Sequence, residues 1–187
     1  MRSIYIRRLD PAKKRTLDIE YERLKVNCPG YADISRDLFD KCNNSIYIIE
    51  DRLISEYIGN FYGIIGARTL TMEEAKIEKL DFYCKPYYTN HAFNLVHEIE
   101  FMHFSYFRKI NKSESMTLLK ELIKYCIADQ NDGFTVYRAK CDIISKEYEQ
   151  ALLDSNFEYH SKEFDAINDR YFKVYTRAPL MGKNPIL

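Results

Sequence analysis

The spacing of hydrophobic residues divides the chain into strands and helices. Near the N-terminus, Ile4 and Ile6 alternate with Tyr5 and Arg7, which predicts a strand over Ser3–Arg8. In the next segment, numbered 13–25, the apolar residues recur at helical spacing instead, and a Cys-Pro-Gly sequence ends that helix. The chain therefore opens with a strand followed by a helix.

The same reasoning extends to the C-terminus. It predicts, in chain order, a short helix at Ile34–Lys41, strands at Ile46–Ile49 and Tyr57–Leu70, a short helix at Thr71–Lys79, a strand at His97–Phe104, a helix at Ser115–Ala128, a strand at Phe134–Asp142, a helix at Ser145–Asp154, and strands at Phe157–Ser161 and Tyr171–Arg177. The last two strands are expected to pair as a hairpin across Asn168-Asp169. The glycines of the long second segment predict a bulge or a close backbone approach, and Leu80–Val96 fits no clear pattern.

This order of elements predicts the fold class. We expect a single α/β (α+β) domain over residues 1–177, with a mixed, mostly antiparallel central sheet flanked by helices. Residues 178–187 hold two prolines and a glycine and are expected to form a loose C-terminal tail.

Composition and charge narrow the class of protein. With 46% hydrophobic and 30% charged residues among 187, the chain is expected to be globular. Lys plus Arg and Asp plus Glu number 28 each, so no excess of positive charge favours nucleic acid. The sequence has no apolar run near the roughly 20 residues that span a bilayer, and its first residues lack a signal-peptide core. We therefore expect a soluble cytoplasmic protein without nucleic-acid or membrane partners.

The cysteines give no sign of a metal or a disulfide framework. The chain has five of them, an odd number, and they form no CxxC pair. Structural zinc sites and disulfide frameworks both need paired spacing. We therefore expect reduced, mostly buried thiols and no metal site.

One predicted strand, HEIEFMHF, carries two carboxylates. Glu98 and Glu100 are expected to point to the same side as Met102 and Phe104. Carboxylates on a buried strand are costly unless they are paired or functional. Either residue could act as a general base through a water molecule. Salt bridges to nearby Arg or Lys explain the same pattern equally well.

The order of elements around this strand resembles the GNAT superfamily of acyl-CoA-dependent N-acyltransferases. The resemblance covers residues 1–177 as topology, and at motif level it is carried by the strand HEIEFMHF and the roughly thirty residues around it. It implies that Glu98 stands where histone-type members have their general base. It also implies that acetyl-CoA or another acyl-CoA is the co-substrate, and that the acceptor is an amine of a small molecule or a protein.

The loop after this strand departs from the family pattern Arg/Gln-x-x-Gly-x-Gly/Ala. Asn and Ser occupy the glycine positions. A helix N-terminus still offers unpaired N–H groups to a pyrophosphate, and the resemblance assigns donor binding to Phe104, Arg108, Lys109, Asn111, Lys112, Ser113 and Ser115. An ordinary capped helix beginning near Ser113 or Ser115 explains the same residues without a ligand.

The second strand and helix contain the position of the family's tyrosine general acid. The pattern Asn-x-x-Ala-x-x-Leu-Tyr-x-x-x-Gly-Phe puts Leu152 at the tyrosine position, and Tyr148 lies one turn earlier as the candidate acid. Asn156-Phe157 fits the Gly-Phe ending, because Asn tolerates the left-handed conformation that glycine would adopt there.

Two alternative functions stay open. The segment Gly66–Leu70 is similar to the third strand of acyl-homoserine-lactone synthases, which also carry a Glu at the position of Glu98, and acidic residues precede it at Asp33, Asp37 and Asp40. The missing loop glycines and the displaced tyrosine instead suit a GNAT-fold binding or regulatory module that has lost catalysis. The sequence is compatible with a homodimer and leaves the oligomeric state open.

Overall fold

The computed structural model describes residues 3–27, 34–42, 44–52, 60–80, 95–104, 112–129, 135–142, 146–166 and 169–178. Within these ranges the helices and strands are β1 (Ser3–Arg8), α1 (Lys14–Asn27), α2 (Arg36–Lys41), β2 (Ile46–Arg52), β3 (Asn60–Thr71), α3 (Met72–Ile77), β4 (Leu95–Phe104), α4 (Lys112–Asp129), β5 (Thr135–Asp142), α5 (Lys146–Leu153), β6 (Glu158–Asp165) and β7 (Arg170–Arg177). Their order is the one predicted from the sequence.

The strands form a seven-stranded sheet in the order β1-β2-β3-β4-β5-β7-β6. Antiparallel pairing joins β1 to β2, β2 to β3, β5 to β7 and β6 to β7, whereas β4 and β5 run parallel. The parallel register joins Leu95–Ile99 to Thr135–Ala139, and β4 continues to Phe104. A parallel pair needs a crossover connection, which here includes α4. The predicted mixed, mostly antiparallel sheet is confirmed.

The chain divides into two compact units. The first unit comprises Met1–Arg68 and Glu100–Cys126, and the second comprises Thr69–Ile99 and Ile127–Leu187. The assignment of residues 1–177 to one domain with a loose tail stays a prediction, since residues 179–187 lie outside the described residues.

The core of the first unit brings apolar residues of α1 and α2 onto the strands. Its buried side chains include Leu17, Leu24, Phe39, Ile46, Ile48, Ile64 and Phe101. Gly66 is needed here, because a Cβ at that position would lie 2.0 Å from Cζ of Phe101. At Gly63 a Cβ would lie 2.9 Å from the carbonyl oxygen of His103. The predicted close approach is confirmed at Gly63 and Gly66, whereas Gly59 lies outside the described residues. The β2–β3 register shifts between Ile49 and Glu50.

The second unit has a smaller apolar cluster, formed by Leu70, Ala75, Leu80, Val96 and Val136. Thr71 begins α3 with a capping box: its hydroxyl accepts from the Glu74 N–H, and the Glu74 carboxylate accepts from the Thr71 N–H. This cap fixes where the long strand β3 ends and the helix starts.

Two left-handed residues shape the C-terminal part of the second unit. Asn156 has φ 63°, and the following Phe157 N–H donates to the carbonyl of Leu152 at 3.1 Å. The predicted left-handed ending of this helix is therefore confirmed. Asp169 has φ 48° just before β7, and β6 and β7 pair antiparallel. The predicted hairpin is also confirmed.

Some boundaries differ from the predicted ones. The second strand extends beyond Ile49 to Arg52, where it continues to pair with β1. The helix expected to begin at Ser115 begins at Lys112, so Ser113 and Ser115 lie in its first turn and not in a loop. The unassigned stretch falls largely on residues 81–94, which lie outside the described residues, and β4 begins at Leu95.

The cysteines that the structure describes are free thiols. Cys42, Cys126 and Cys141 are buried and unbridged, as predicted for this part of the chain. Cys28 and Cys84 lie outside the described residues.

Candidate functional site

Glu98 of β4 is buried against an arginine of the neighbouring strand. In the parallel register Glu98 stands opposite Arg138 of β5. The Arg138 Nη1 donates a hydrogen bond to Glu98 Oε1. The two side chains are 1% and 0% exposed, so this ion pair is fully removed from solvent. A pair in this setting holds both side chains in fixed positions.

Arg138 also contacts a second carboxylate. Its Nη2 donates to both oxygens of Glu163 on β6, at 3.2 and 3.1 Å. Lys140 Nζ lies 3.9 Å from Glu98 Oε1. Glu163 and Lys140 are 31% and 36% exposed. We call Glu98, Arg138, Lys140 and Glu163 the Glu98 cluster; it has two buried members and two that reach solvent.

Glu100 belongs to the first unit and has its own arginine. Arg68 Nε donates to Glu100 Oε1, and both side chains are mostly buried. The two candidate carboxylates thus each pair with an arginine, which is the salt-bridge alternative that the sequence left open. Nearby on β4, burial lowers the pKa of His103 to about 4, so its imidazole is neutral at pH 7.

The first turn of α4 contains the described members of the predicted donor site. Ser113 is exposed, and its carbonyl accepts from the Thr117 hydroxyl at 3.0 Å. Ser115 is only 1% exposed, and its hydroxyl has no hydrogen-bond partner among the described residues. Lys112 starts the helix, but its side chain is not described, and Arg108, Lys109 and Asn111 lie outside the described residues.

Helix α5 carries Tyr148, the candidate acid. Leu152, at the family's tyrosine position, is fully buried, whereas Tyr148 is half-buried. The next residue, Glu149, accepts hydrogen bonds from Lys173 at 2.7 Å and from the Tyr175 hydroxyl at 2.6 Å. These contacts fasten α5 to β7. Burial, followed by the hydrogen bond to Glu149, raises the pKa of Tyr175, so this phenol stays protonated at neutral pH.

Comparison with solved structures places this geometry in a known fold. The chain is similar to Arabidopsis thaliana NAA60 in complex with acetyl-CoA, with a TM-score of 0.64 and 13% identity, covering 94% of this chain and 99% of that one. It is similar to a Drosophila melanogaster polyamine N-acetyltransferase, with a TM-score of 0.63 and 7% identity, covering 94% and 100%. The chain has the GNAT fold. No protein-family model and no curated protein matches its sequence.

A third GNAT structure shows the same overall likeness. Aminoglycoside 6'-acetyltransferase type Ii has a TM-score of 0.55 and 13% identity, covering 93% of this chain and 96% of that one. All three identities are low, as for a divergent GNAT fold. The fold is shared although most residues differ. The likeness therefore identifies the architecture, and the chemistry has to be argued from the side chains of this chain.

Within this GNAT fold, sequence reasoning found Glu98 but missed Arg138 and Glu163. Arg138 stands between the apolar residues Tyr137 and Ala139 of the strand TVYRAKCD, and a charge in that position is the signal that could have pointed to a carboxylate partner. Glu163 lies in the alternating pattern of an edge strand, where an exposed charge is ordinary, so the sequence gives no comparable signal for it.

Two further features are absent from the part of the chain that the structure describes. No three His, Cys, Asp or Glu side chains there are grouped so that they could hold a metal ion. No helix within those ranges is both long and apolar enough to cross a membrane.

Proposed function

We propose that this protein is an N-acyltransferase that moves an acyl group, acetyl as the first choice, from acyl-CoA to an amine by direct transfer. The observation that carries the proposal is the GNAT fold over 94% of the chain, shared with a structure in complex with acetyl-CoA. The amines that name two of the similar proteins, a polyamine and an aminoglycoside, suggest a first panel of acceptors.

The first turn of α4 suits the acyl-CoA pyrophosphate. The N–H groups at the start of an α-helix lack intrahelical partners, and the helix dipole favours an anion there. The Ser115 hydroxyl is buried in this turn without a partner among the described residues. Buried hydroxyls are normally hydrogen-bonded, so a phosphate oxygen of the ligand is a suitable acceptor for it. The exposed Ser113 adds a second hydroxyl. Phe104, Arg108, Lys109, Asn111 and Lys112 complete the proposed donor site.

The backbone of β4 suits the thioester. The described ladder with β5 covers Leu95–Ile99, and β4 continues beyond it to Phe104. Backbone N–H and C=O groups are strong hydrogen-bonding groups, and we propose that those of β4 hold the thioester carbonyl of a bound acyl-CoA. Acyl-CoA supplies an activated carbonyl with a thiolate leaving group.

The carboxylates of β4 suit proton transfer from the amine. In direct transfer the amine nitrogen forms a bond to the acyl carbon, the carbon–sulfur bond breaks, and the proton lost by the amine ends on the thiol. Glu98 or Glu100 would accept that proton through water, because a carboxylate can act as a general base and both residues lie on β4. Tyr148 is the proposed acid that protonates the leaving thiolate.

A second candidate function is a GNAT-fold binding module without catalysis. It is favoured by the ion pairs that engage both Glu98 and Glu100 and by the buried Leu152 at the tyrosine position. Such a module would still bind acyl-CoA at α4 but would transfer nothing.

Calorimetry and a thiol-release assay separate these functions. The titrants are acetyl-CoA and longer acyl-CoAs, and the assay uses a polyamine, an aminoglycoside and a peptide N-terminus as acceptors. Binding with amine-dependent thiol release is expected. Binding without release from any acceptor supports the module, and no binding of any acyl-CoA overturns both functions. Unimpaired transfer by a Glu98→Gln, Glu100→Gln double variant removes the proposed base.

Ser115→Ala tests the donor site separately. We expect weaker acetyl-CoA binding, by about tenfold, since a hydrogen bond to a charged group is lost. Folding stability should stay unchanged or rise, because the removed hydroxyl has no protein partner in the described structure. Thr117→Val is the matched control, since its hydroxyl already bonds within the helix, to the carbonyl of Ser113. Equal affinities in the two variants would remove Ser115 from the site.

A further inference from the structure

Arg138 is held by carboxylates from two other strands. Glu98 of β4 accepts from its Nη1, and Glu163 of β6 accepts from its Nη2. A guanidinium group is planar and presents its donors in a fixed fork. Since both ends of this fork are occupied and Arg138 is buried, its position is fixed more tightly than one ion pair alone would achieve.

The arrangement gives each carboxylate a different task. Glu98 has no exposed surface, so its orientation depends on the groups packed around it. Glu163 is partly exposed and accepts from a single nitrogen with both of its oxygens. Glu163 therefore holds Nη2 of the guanidinium, while Nη1 donates to Glu98.

We infer that Arg138 and Glu163 are positioning residues for the proposed acyl transfer: Arg138 orients the Glu98 carboxylate, and Glu163 holds Arg138 and balances its charge. The inference rests on the proposed function and on Glu98 as its base. Neither Arg138 nor Glu163 is assigned contact with the substrate.

The charged groups around Glu98 balance. Arg138 and Lys140 face it from β5, and Glu163 and His160 lie on β6. Burial and the nearby Arg138 charge lower the pKa of His160, so this imidazole is neutral at pH 7. The two cations are therefore matched by two carboxylates. Loss of the Glu163 charge leaves one net positive charge in the Glu98 cluster and removes the carboxylate that holds Arg138 from β6.

Glu163→Gln is the variant that tests the charge. It keeps an acceptor for Arg138 and removes one negative charge. We expect kcat to fall severalfold, because Arg138 is held less firmly and fixes the Glu98 carboxylate less well. KM for acetyl-CoA should not change.

Arg138→Lys tests the orientation. Lysine keeps the charge but lacks the rigid fork, so we expect kcat to fall about tenfold or more with KM for acetyl-CoA unchanged. Circular dichroism and thermal melting establish that the variant is folded. Glu158→Gln is the matched control for Glu163→Gln, because it removes the same charge from an exposed site on β6. It should leave kcat unchanged.

The outcomes separate this inference from the proposed function. Amine-dependent transfer by the wild type, with a lowered kcat in both Glu163→Gln and Arg138→Lys, supports both. Transfer with an unchanged kcat in folded Glu163→Gln and folded Arg138→Lys overturns the positioning role alone. No transfer by the wild type from any acyl-CoA overturns the proposed function and the positioning role with it.

Discussion

Each of the two units contains a glutamate with no exposed surface that pairs with arginine, Glu50 in the first and Glu98 in the second, and the two differ in the number of cations around them. In the first unit Glu50 accepts from Arg7 Nε at 2.8 Å, from Arg23 Nη1 at 2.6 Å and from the Tyr5 hydroxyl at 3.1 Å. Both arginines also pair with Glu20. In the second unit Glu98 depends on Arg138, with Lys140 at 3.9 Å.

The first arrangement is built for stability. Burial raises the pKa of Glu50, but the hydrogen bonds from Arg23 and Arg7 outweigh it, so the pKa lies below its ordinary value. Its cations come from β1 and α1, so the cluster joins those elements to β2. In the Glu98 cluster the Arg138 side chain is less exposed than either arginine that binds Glu50. The two outer members, Glu163 and Lys140, reach solvent. The two clusters therefore differ in how many arginines pair with the buried carboxylate and in how exposed the outer groups are.

The largest effect is expected from Arg138→Met. It leaves the Glu98 charge buried without its main partner, which should lower the free energy of unfolding by about 3–5 kcal/mol in urea titrations. The Glu98→Leu, Arg138→Met double variant should recover much of that loss, because replacing a whole buried pair by apolar residues is often neutral. A double variant as unstable as the single one would show that packing, and not the unpaired charge, sets the cost.

A smaller loss is expected from Glu50→Gln. The amide keeps an acceptor for one arginine, and Arg7 and Arg23 retain Glu20, so we expect a loss of about 1–3 kcal/mol by the same titration. Glu22→Gln, at an exposed site on α1, is the control and should change little. If Glu50→Gln lowered the free energy of unfolding more than Arg138→Met does, the first unit would depend more on its buried charge than the second.

The lowered pKa of Glu50 should be visible in the pH dependence of the free energy of unfolding. Its pKa in the folded protein lies below the ordinary value of 4.5, so the carboxylate contributes stability above pH 4.5. That contribution is lost as the pH falls through the lowered pKa. The wild type should therefore lose stability more steeply below pH 4.5 than Glu50→Gln in acid-range urea titrations. Parallel curves for the two proteins would contradict the lowered pKa.

Local patterns explain how much of this fold could be predicted. Alternation and helical spacing depend on neighbouring residues, and they gave the order of all described elements. The left-handed ending at Asn156 follows from the conformational tolerance of its own side chain. The start of α4 was misplaced by three residues because Ser113 and Ser115 are good capping residues in isolation, whereas the helix extends past both.

The candidate site depends on contacts that local patterns do not contain. Arg138 lies forty residues after Glu98 in the chain and reaches it through the register of a parallel strand pair. Glu163 lies on the edge strand β6, two strands away from β5, and its side chain reaches Arg138 across β7. The sequence could therefore identify a carboxylate in need of a partner, but the partner itself is set by the topology of the sheet.

The smallest effect is expected from Lys140→Met, which sharpens the contrast between the two clusters. Lys140 is 36% exposed and stands 3.9 Å from Glu98, so water screens its charge and the loss should stay under about 1 kcal/mol. A double-mutant cycle with Glu98→Gln measures the coupling directly, and we expect about 0.5 kcal/mol or less. The same cycle between Arg138 and Glu98 should give a coupling several times larger. Equal couplings would mean that two cations share Glu98, as they share Glu50, and the difference between the units would then lie in solvent exposure alone.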